Sequence, residues 1–459
     1  MSQSFFDREA TVAPVGYNRF LVPPAALAVH LSIGQAYAFS TFNLPLTKLI
    51  GLTQSGPDDW QLTDVGWTFS IAIAILGISA AVFGRWVERV GPRKSMFTAA
   101  LCFGSGFIVS AIGIHYHLLF LLYLGYGVLG GCGLGIGYIS PVSTLIKWFP
   151  DRPGMATGMA IMGFGGGALI AAPLSLLLME HFKTASSNGV METFVTMGVI
   201  YFLFMMIGVI YVRVPSPDWK PAGWTTTEKP KAMVTTANVL VEQAWRTSQF
   251  WLLWVVLCMN VTAGIGVLSQ ASPMIQEIFS GRVSAAAAAG FVGLLSLFNM
   301  AGRFFWASTS DYIGRRNTYT IFFSLGILLY MTIPSLGYAG DKSLFVAAFV
   351  VILSMYGGGF ATIPAYLRDV FGTVNVGAIH GRLLTAWAVA GVLGPVLVNY
   401  IRKFQIDHGV PKAQAYSVTM YIMCALLLTG LLCNLAMRPV KERYLYREPG
   451  SDKSGQNKK

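Results

Sequence analysis

The segment GRWVERVGPRK at residues 84–94 recurs in the second half of the chain as ASTSDYIGRR at residues 307–316. Each segment places a small residue first, an acidic residue four positions later, a glycine three positions after that, and basic residues at its end. The two glycines, Gly91 and Gly314, are 223 positions apart. A pattern that repeats at so long an interval indicates that the chain contains two copies of one structural unit.

Two pairs of prolines repeat at almost the same interval. Pro141 and Pro364 are 223 positions apart, and Pro173 and Pro395 are 222 positions apart. Together with the glycines, these landmarks predict the duplication of a six-helix unit.

The composition is typical of a membrane protein. Of the 459 residues, 54% are hydrophobic and 11% are charged, and the mean hydropathy is +0.59. Soluble domains contain about 25% charged residues. Apolar runs of about 20 residues recur along the chain, and each is long enough to cross a membrane core of about 30 Å. We therefore predict an all-α polytopic membrane protein with 12 transmembrane helices, at residues 20–46, 64–84, 96–114, 118–146, 155–179, 191–213, 249–270, 286–308, 318–337, 343–366, 378–401 and 416–437.

One long polar stretch, rich in proline and in charges of both signs, lies between the sixth and seventh predicted spans. It predicts two six-helix bundles that are joined by a linker, and paired repeats of this kind bind their substrate between the bundles, near the middle of the membrane. The predicted segments are an N-terminal bundle at residues 1–213, a cytoplasmic linker at 214–248, a C-terminal bundle at 249–437 and a cytoplasmic tail at 438–459.

The lysines and arginines outside the spans are distributed unevenly. With the N-terminus inside, the inner segments hold 23 of them and the outer loops hold 7. Because positive charge accumulates in cytoplasmic loops, both termini are predicted to be cytoplasmic. Residues 1–19 are polar and lack the apolar core of a cleaved signal, so the first apolar run is expected to remain as a membrane helix. No Asn-X-Ser/Thr sequon lies in a clear outer loop, which fits a bacterial plasma membrane.

The sequence disfavours several classes of function. The net charge of +12 falls in short loops rather than in a basic stripe with interleaved aromatics, so nucleic-acid binding is not expected. The five cysteines lie in apolar runs without ligand spacing, so we expect no metal and no cofactor. The glycine-rich runs lie inside spans, where glycine lets helices approach closely. No motif combines a nucleophile, a base and oxyanion donors, so an enzyme is not expected.

Arg303 lies inside the apolar run from Phe291 to Ser310. At about 1.5 Å of rise per residue, it lies roughly 12 Å deeper than Asp311, the first acidic residue after it. A charge at the centre of a bilayer costs about 3 kcal/mol or more, so the guanidinium is expected to face the bundle interior, a watery cavity or a bound anion. Its counterpart in the first copy is Ala80, so the repeat does not require the charge. Arg303 therefore predicts an anionic substrate; the alternative is an arginine that reaches the interface or pairs internally.

The repeated segments resemble the signature of the major facilitator superfamily. The resemblance implies that the acid pairs with a neighbouring helix end and with basic residues, and that these contacts hold one face of a transporter closed. The alternative is that these residues are ordinary loop charges. The residues to which the resemblance assigns this gating role are Gly84, Glu88, Arg89, Gly91, Arg93, Asp311, Gly314 and Arg315.

A second group of motifs lies inside or next to the predicted spans: GCGLGIGYISP (131–141), KWFPDR (147–152), MGFGGG (162–167), YGGGF (356–360) followed by Pro364, DVFG (369–372) and LTAW (384–387). With these motifs the chain resembles the oxalate/formate antiporter family over essentially all twelve predicted spans. The resemblance implies a carrier of small organic anions in which Arg303 matches the helix-eight arginine that binds carboxylate. The second cation of that family, a lysine, falls at Trp387 in this chain, so a single buried cation favours a monocarboxylate over oxalate.

Polar and aromatic residues on other spans are candidates to complete an anion site. Gln35 and Tyr37 can hydrogen-bond to carboxylate oxygens, and Tyr138 and Tyr356 are candidate walls of the cavity. The alternative for each of these residues, and for His30, is a role in packing. His30 can carry a proton near neutral pH, so anion exchange and proton symport are both open. Arg382 is expected to extend to the membrane interface. The predicted substrate-binding residues are Arg303, Gln35, Tyr37, His30, Tyr138, Tyr356 and Trp387.

These patterns predict a secondary active transporter of small organic anions that works by alternating access. The expected substrates are monocarboxylates such as formate, lactate or pyruvate, with oxalate as a further option. The alternative is an exporter of another small molecule or drug on the same scaffold, which the lack of a mid-span Asp or Glu disfavours. We expect a monomer whose partners are the bilayer, the anion and, in the symport variant, protons.

Overall fold

The computed structural model describes residues 4–52, 54–221, 234–235 and 237–446. Over these residues the chain is helical apart from its turns, loops and two isolated β-bridges. Eleven of the described helices are long and apolar enough to cross a membrane. The prediction of an all-α polytopic membrane protein is therefore confirmed.

The long helices form two sets of six, which we number in chain order. The first set is α1 (Arg19–Ala38), α2 (Leu62–Val90), α3 (Pro92–His115), α4 (Leu119–Trp148), α5 (Pro153–Phe182) and α6 (Val190–Tyr211). The second set is α7 (Ser248–Ile278), α8 (Ala285–Ile313), α9 (Arg315–Ala339), α10 (Lys342–Phe371), α11 (Val376–Asp407) and α12 (Ser417–Leu435). The eleven apolar helices are all of these except α8, which is 29 residues long and carries Asn299 and Arg303 near its middle.

Three helices contain irregular turns. Helix α1 tightens into a 3-10 helix over Gly34–Ala38, and a short helix, Ser40–Leu46, follows it. Helix α4 contains a π-helix over Tyr123–Gly130. Helix α11 is interrupted at Leu384, between Val376–Leu383 and Thr385–Asp407. Departures from 3.6 residues per turn rotate the side chains that follow them, and such turns often lie at functional sites.

The duplicated glycines form the same tight turn in both sets. Gly91, between α2 and α3, has a φ of 83°, and Gly314, between α8 and α9, has a φ of 86°. Glycine adopts a positive φ at no steric cost, whereas residues with a side chain rarely do. We call the end of the molecule that carries residues 84–94 and 307–316 the motif end.

The two sets meet mainly where α2 packs against α11 and α5 packs against α8, with smaller contacts of α5 with α10 and of α4 with α11. Gly84 permits the first approach, because a Cβ atom there would lie 2.9 Å from the Cα atom of Ala378. Gly158 permits the second, because a Cβ atom there would lie 3.0 Å from the carbonyl oxygen of Arg303. These close approaches bring α8 and α11, with their candidate site residues, against the first set.

Candidate functional site

Arg303, on α8, is fully buried where the two sets meet. Its Nε donates to Oδ1 of Asn299, one helical turn earlier, at 3.2 Å. Its Nη1 donates to the carbonyl oxygen of Ile161, on α5, at 3.3 Å. The ion pairs that the described residues form do not include Arg303. The guanidinium, which stays protonated in proteins, therefore lies in a dry position without a carboxylate partner from this part of the chain.

Two phenylalanine rings lie close to the guanidinium. The Cζ atom of Arg303 is 5.6 Å from the ring centre of Phe164, on α5, and 5.3 Å from that of Phe360, on α10. A cation close to an aromatic ring is attracted by the ring quadrupole, and the attraction grows when both are shielded from water. The two sets each provide one ring, so the site forms only when they are together.

Trp387 and Tyr138 complete an aromatic wall next to these rings. The ring centre of Trp387, on α11, lies 4.5 Å from that of Phe360 and 5.4 Å from that of Phe164. The ring centre of Tyr138, on α4, lies 5.3 Å from that of Trp387 and 5.5 Å from that of Phe164. We call Phe164, Phe360, Trp387 and Tyr138 the aromatic cluster.

Three buried polar atoms of Arg303 and the aromatic cluster have no hydrogen-bond partner among the described residues. They are Nη2 of Arg303, Nε1 of Trp387 and the hydroxyl oxygen of Tyr138. The two nitrogen groups can only donate. A buried donor without an acceptor costs about 1–3 kcal/mol. The chemistry of this donor set suits oxygens of an anion, which would accept these hydrogen bonds, and does not suit a cation.

Tyr37 and Tyr356 meet across the interface between the sets. Their hydroxyl oxygens are 3.3 Å apart, within hydrogen-bond distance. Tyr37 also packs its ring edge-on against Phe164, at 5.1 Å between centres, and Tyr356 packs edge-on against Phe360, at 5.2 Å. The structure therefore brings both tyrosines to the edge of the aromatic cluster, where their hydroxyls join the two sets.

His30 is buried on α1 and bonded within the first set. Its Nδ1 lies 2.5 Å from the carbonyl oxygen of Ala160, and its Nε2 lies 3.1 Å from that of Tyr138. A carbonyl oxygen only accepts, so the neutral ring donates from one of its two nitrogens. Its ring stacks on that of Tyr138 at 5.3 Å between centres. His30 thus lies behind the aromatic cluster, and its role as a proton carrier stays a prediction.

Gln35 is buried in the first set, and its Nε2 has no hydrogen-bond partner among the described residues. Its Oε1 accepts a hydrogen bond from the hydroxyl of Tyr126 at 2.9 Å. The ring of Tyr126 packs against Phe39 and Phe107, in the interior of the first set. A contact of Gln35 with a substrate at Arg303 also stays a prediction, and the arrangement gives Gln35 a packing role.

At the motif end, Asp311 of α8 binds the first turn of α5. Its Oδ1 accepts from the backbone N–H of Gly154 and its Oδ2 from that of Met155, each at 2.8 Å. Arg315 donates to the same Asp311 at 2.5 Å and to Asp369 of α10 at 3.1 Å. A carboxylate at the positive end of a helix is stabilising, so these contacts hold the two sets together at this end.

Glu88 makes the equivalent contact from the first set. Its Oε1 accepts from the backbone N–H of Gly377, in the first turn of α11, at 3.1 Å, and its Oε2 accepts from Lys147 at 2.9 Å. Together with Asp311, it gives the motif end two carboxylates that each reach a helix N-terminus of the other set. This geometry agrees with the gating role that the resemblance assigned to the repeated acids.

Two further candidate residues of the motif end, Arg93 and Arg89, are carried by helices of the first set. Arg93 is buried, and its Nη1 donates to the carbonyl oxygen of Phe5 at 2.7 Å. Arg89 is exposed and lines a surface cavity of the motif end. Arg382 donates to the carbonyl oxygen of Val241 at 3.0 Å, so it turns away from the aromatic cluster.

Sequence reasoning missed Phe164, Phe360, Asn299 and His380. Asn299 is one helical turn from the buried arginine and Phe360 is one turn from Tyr356, so the spacing of neighbours on a helix could have found both. Phe164 stands among the glycines of the MGFGGG segment, whose spacing gives no direction for its ring. His380 lacked any comparable signal, because its position depends on how α11 packs against α4.

A family model described as Major Facilitator Superfamily matches residues 15–395. The chain belongs to this superfamily. The transporter shares its fold with the solved proton:xylose symporter XylE, with a TM-score of 0.65 at 15% identity, over 90% of this chain and 96% of that one. The predicted major facilitator fold is therefore confirmed.

Two relatives with curated names match most of the transporter. An oxalate:formate antiporter of Oxalobacter formigenes is 26% identical, and the match covers 83% of this chain and 84% of the antiporter. The apicoplast pyruvate carrier 1 of Toxoplasma gondii is 24% identical, with 71% of this chain and 68% of the carrier covered. The family and these neighbours are membrane transporters, so the protein is a transporter and not an enzyme, as the sequence predicted.

Proposed function

We propose that this transporter carries small organic anions by alternating access, with monocarboxylates such as formate, lactate or pyruvate as the main substrates and oxalate as a further option. It works as an anion exchanger or as a proton symporter. We place it in a bacterial plasma membrane as a monomer, with both termini and the linker at residues 214–248 in the cytoplasm.

The observation that carries the proposal is the dry guanidinium of Arg303. It is fully buried, and its Nη2 atom has no partner within the described ranges. A guanidinium matches a carboxylate with two parallel hydrogen bonds, and such charge-assisted bonds are about twice as strong as neutral ones. A bound carboxylate would accept from Nη2 and neutralise the charge.

The surroundings of Arg303 favour a small substrate with one charge. The aromatic cluster places apolar rings next to the guanidinium, and Trp387 stands where the family places a second cation. One cation neutralises one carboxylate, so a second carboxylate would be left in a dry, apolar setting at a high desolvation cost. The methyl group of lactate or pyruvate would instead pack against the rings.

The gating contacts fit a carrier that opens to one side at a time. The motif end is held closed by Asp311 and Glu88, each bonded to a helix N-terminus of the other set. On the other side of the aromatic cluster, the hydroxyls of Tyr37 and Tyr356 join the sets. An anion that enters past these tyrosines would compete for their hydroxyls, and closure around it would then allow the motif end to open.

Exchange follows from the cost of moving Arg303 without an anion. An unpaired charge in the closed site is costly, because the guanidinium cannot release its proton. The loaded site is neutral, so the sets reorient more easily when an anion is bound. A proton symporter would use the same site and add a proton on a titratable group.

The names of the relatives agree with this substrate class. One relative is named for the exchange of oxalate and formate, and another for the transport of pyruvate. Both names describe small carboxylates. At 26% and 24% identity these names support the class of substrate, and the choice within that class rests on the residues of this chain.

The test is uptake into proteoliposomes that contain the purified full chain. Labelled formate, lactate, pyruvate and oxalate are each offered to vesicles preloaded with one of these anions. We expect monocarboxylate uptake that is stimulated by internal anion, and a loss of about 2 kcal/mol or more of anion affinity in Arg303→Ala, as for other buried charges that lose their partner.

The matched control is Arg282→Ala, because Arg282 is exposed in the turn before α8. This variant is expected to exchange anions like the wild type. Exchange that is equally strong in Arg303→Ala, or the failure of all four anions to exchange in the wild type, would overturn the proposed function.

A further inference from the structure

His380, on α11, is a second buried histidine at the interface between the two sets. It is 1% exposed, and its ring centre lies 5.8 Å from that of Tyr138, on α4. Neither ring nitrogen has a hydrogen-bond partner in the part of the chain that the structure describes. A buried polar group without a partner costs about 1–3 kcal/mol. A role in packing alone would not explain why a histidine with this cost occupies the position.

The comparison with His30 shows what is special about this position. His30 lies on the other side of the interface, and both of its partners, the carbonyl oxygens of Ala160 and Tyr138, belong to its own set. If the sets move as bodies, those partners move with His30. His380 belongs to the second set and its aromatic neighbour Tyr138 to the first, so movement of the sets changes the surroundings of His380.

We propose that His380 carries the proton when this transporter moves a monocarboxylate by symport, an inference that rests on the proposed function. With the motif end closed, the ring is dry and neutral, because an unpaired imidazolium is costly to bury. When the motif end opens, α11 separates from α2 and α4, water reaches the ring, and one ring nitrogen takes up a proton.

The anion then decides whether the proton crosses. A protonated His380 adds a second positive charge to that of Arg303, and a bound anion offsets one of the two, so the protonated ring returns to the closed interface more readily when an anion is bound. Tyr138, a member of the aromatic cluster, contacts both His380 and Trp387, so the histidine lies next to the cluster around Arg303. One proton and one anion therefore cross together, and the proton leaves the ring nitrogen for water on the other side.

The carboxylates at the motif end of the neighbouring helices are paired, and Arg89 of α2 is exposed. On α2 and α4, Glu88 and Lys147 bond to each other. On α10, Asp369 bonds to Arg315 and Arg368. Two titratable groups of the described chain interact with His380. The ring of Tyr138 contacts it, and His30 repels its charged form when His30 is itself protonated.

On its own helix, Arg382 turns to the carbonyl oxygen of Val241. In the short helix Val241–Ala244 that packs against this part of α11, Glu242 pairs with Arg85. No carboxylate of the described residues therefore holds a proton on His380, and a bound anion is the natural counter-charge.

The test compares His380→Gln with the wild type in proteoliposomes, using the anion of the formate, lactate and pyruvate panel that exchanges fastest. Two uptakes are measured: exchange at equal pH on both sides, and net uptake into vesicles without internal anion when the outside is more acidic. Coupling to one proton gives about tenfold accumulation per pH unit of gradient. We expect His380→Gln to retain exchange and to lose the acid-driven accumulation.

Two further variants make the result specific. His408→Gln removes an exposed histidine at the far end of the same helix and is expected to behave like the wild type. His380→Asn repeats the test with a smaller side chain, and thermal unfolding in detergent shows that both His380 variants fold.

Several results would overturn the inference. Unchanged acid-driven accumulation in His380→Gln or His380→Asn would show that His380 does not carry the proton. Wild-type exchange without any acid-driven uptake would also overturn the inference, but it would agree with the proposed function. Loss of exchange in a folded His380→Gln would place His380 in anion binding instead. If the wild type exchanges none of these anions, the proposed function fails and this inference with it.

Discussion

The two ends of the transporter hold the helical sets together in different ways. At the motif end, the carboxylates of Asp311 and Glu88 accept backbone N–H groups of the other set, at 2.8 and 3.1 Å. Toward the opposite end, the last hydrogen bond between the sets that the described residues make joins the hydroxyls of Tyr37 and Tyr356. One end is held by charged groups and the other by a neutral pair.

This difference predicts which end is harder to open. Hydrogen bonds to charged groups contribute about 1.5–3 kcal/mol each, whereas a neutral pair contributes about 1 kcal/mol. The described conformation is therefore closed more firmly at the motif end. The buried Arg303 lies between the two closures, where it would face whichever side is open.

The largest change is expected when the contacts of Asp311 are removed. Asp311→Ala deletes two charge-assisted bonds to α5, so the closed state should lose about 3 kcal/mol or more. The measurement is the distance between spin labels at Lys94 and Asn317, two exposed positions at the motif end, in a chain whose five native cysteines are replaced. We expect a longer distance to become the main population.

The matched control is Asp341→Ala. Asp341 also accepts a backbone N–H at a helix start, from Leu344 at 3.0 Å, but inside a single set. This variant should leave the distance between the labels unchanged. An unchanged distance in Asp311→Ala would show that the motif end is held by other contacts.

Glu88→Gln should also favour the open motif end, but by a smaller free energy than Asp311→Ala. The glutamine keeps an acceptor for Gly377 and loses the ion pair with Lys147, whose side chain is 30% exposed. A partly exposed ion pair contributes at most about 1 kcal/mol. The same spin labels should report a smaller open population than in Asp311→Ala. An equal or larger open population would mean that the contacts of Glu88 hold the motif end at least as firmly as those of Asp311.

Tyr37→Phe tests the weaker closure. Loss of one neutral hydrogen bond should favour opening at the opposite end by about 1 kcal/mol, a severalfold change in population. Spin labels at Ser186 and Arg282, exposed positions after α5 and before α8, report this opening. Tyr356→Phe should have the same effect, and the double variant should add nothing to either, since both remove one bond. Additive effects would show that the hydroxyls act separately.

The smallest effect on the closure of either end is expected from a change at Asp59, which lies in the loop between α1 and α2. Its carboxylate is largely buried, which raises its pKa, but N–H groups of Ile50, Gly56 and Gly51 outweigh this effect and hold the pKa below its usual value. Because the pKa is lower in the folded state, Asp59 stabilises the fold at neutral pH, and this contribution is lost as the pH falls through the folded pKa.

In detergent, the melting temperature of the wild type should therefore fall in acid by more than that of Asp59→Asn. The spin-label distances at both ends should not change, since these contacts stay within one set. A change in either distance would connect this loop to the closure of the opposite end.

The sequence predicts much of the fold because its signals are local. The repeated segments predict the duplication, and the structure places Gly91 and Gly314 with positive φ at the same turn in both sets. Apolar length gives the helices, and the depth of Arg303 in its run gives a buried cation. Each of these needs only spacing along the chain and the cost of charge in a membrane.

The shape of the site was less predictable, because it depends on how each helix is rotated. The 3-10 turn over Gly34–Ala38 has about three residues per turn, which changes the faces that Gln35 and Tyr37 occupy. Tyr37 reaches Tyr356, while Gln35 turns to Tyr126 inside the first set. Packing between distant segments sets these directions, and spacing in sequence does not contain them.

The central claim is that Arg303 holds the carboxylate of the transported anion. Its most direct test is the melting temperature of the purified transporter as formate, lactate and pyruvate are titrated, in the wild type, Arg303→Ala and Arg282→Ala. A ligand that binds the folded state raises its stability, by about 2.7 kcal/mol at a concentration a hundred times its Kd. The account predicts stabilisation by a monocarboxylate in the wild type and in Arg282→Ala, and none in Arg303→Ala; equal stabilisation in all three would contradict it.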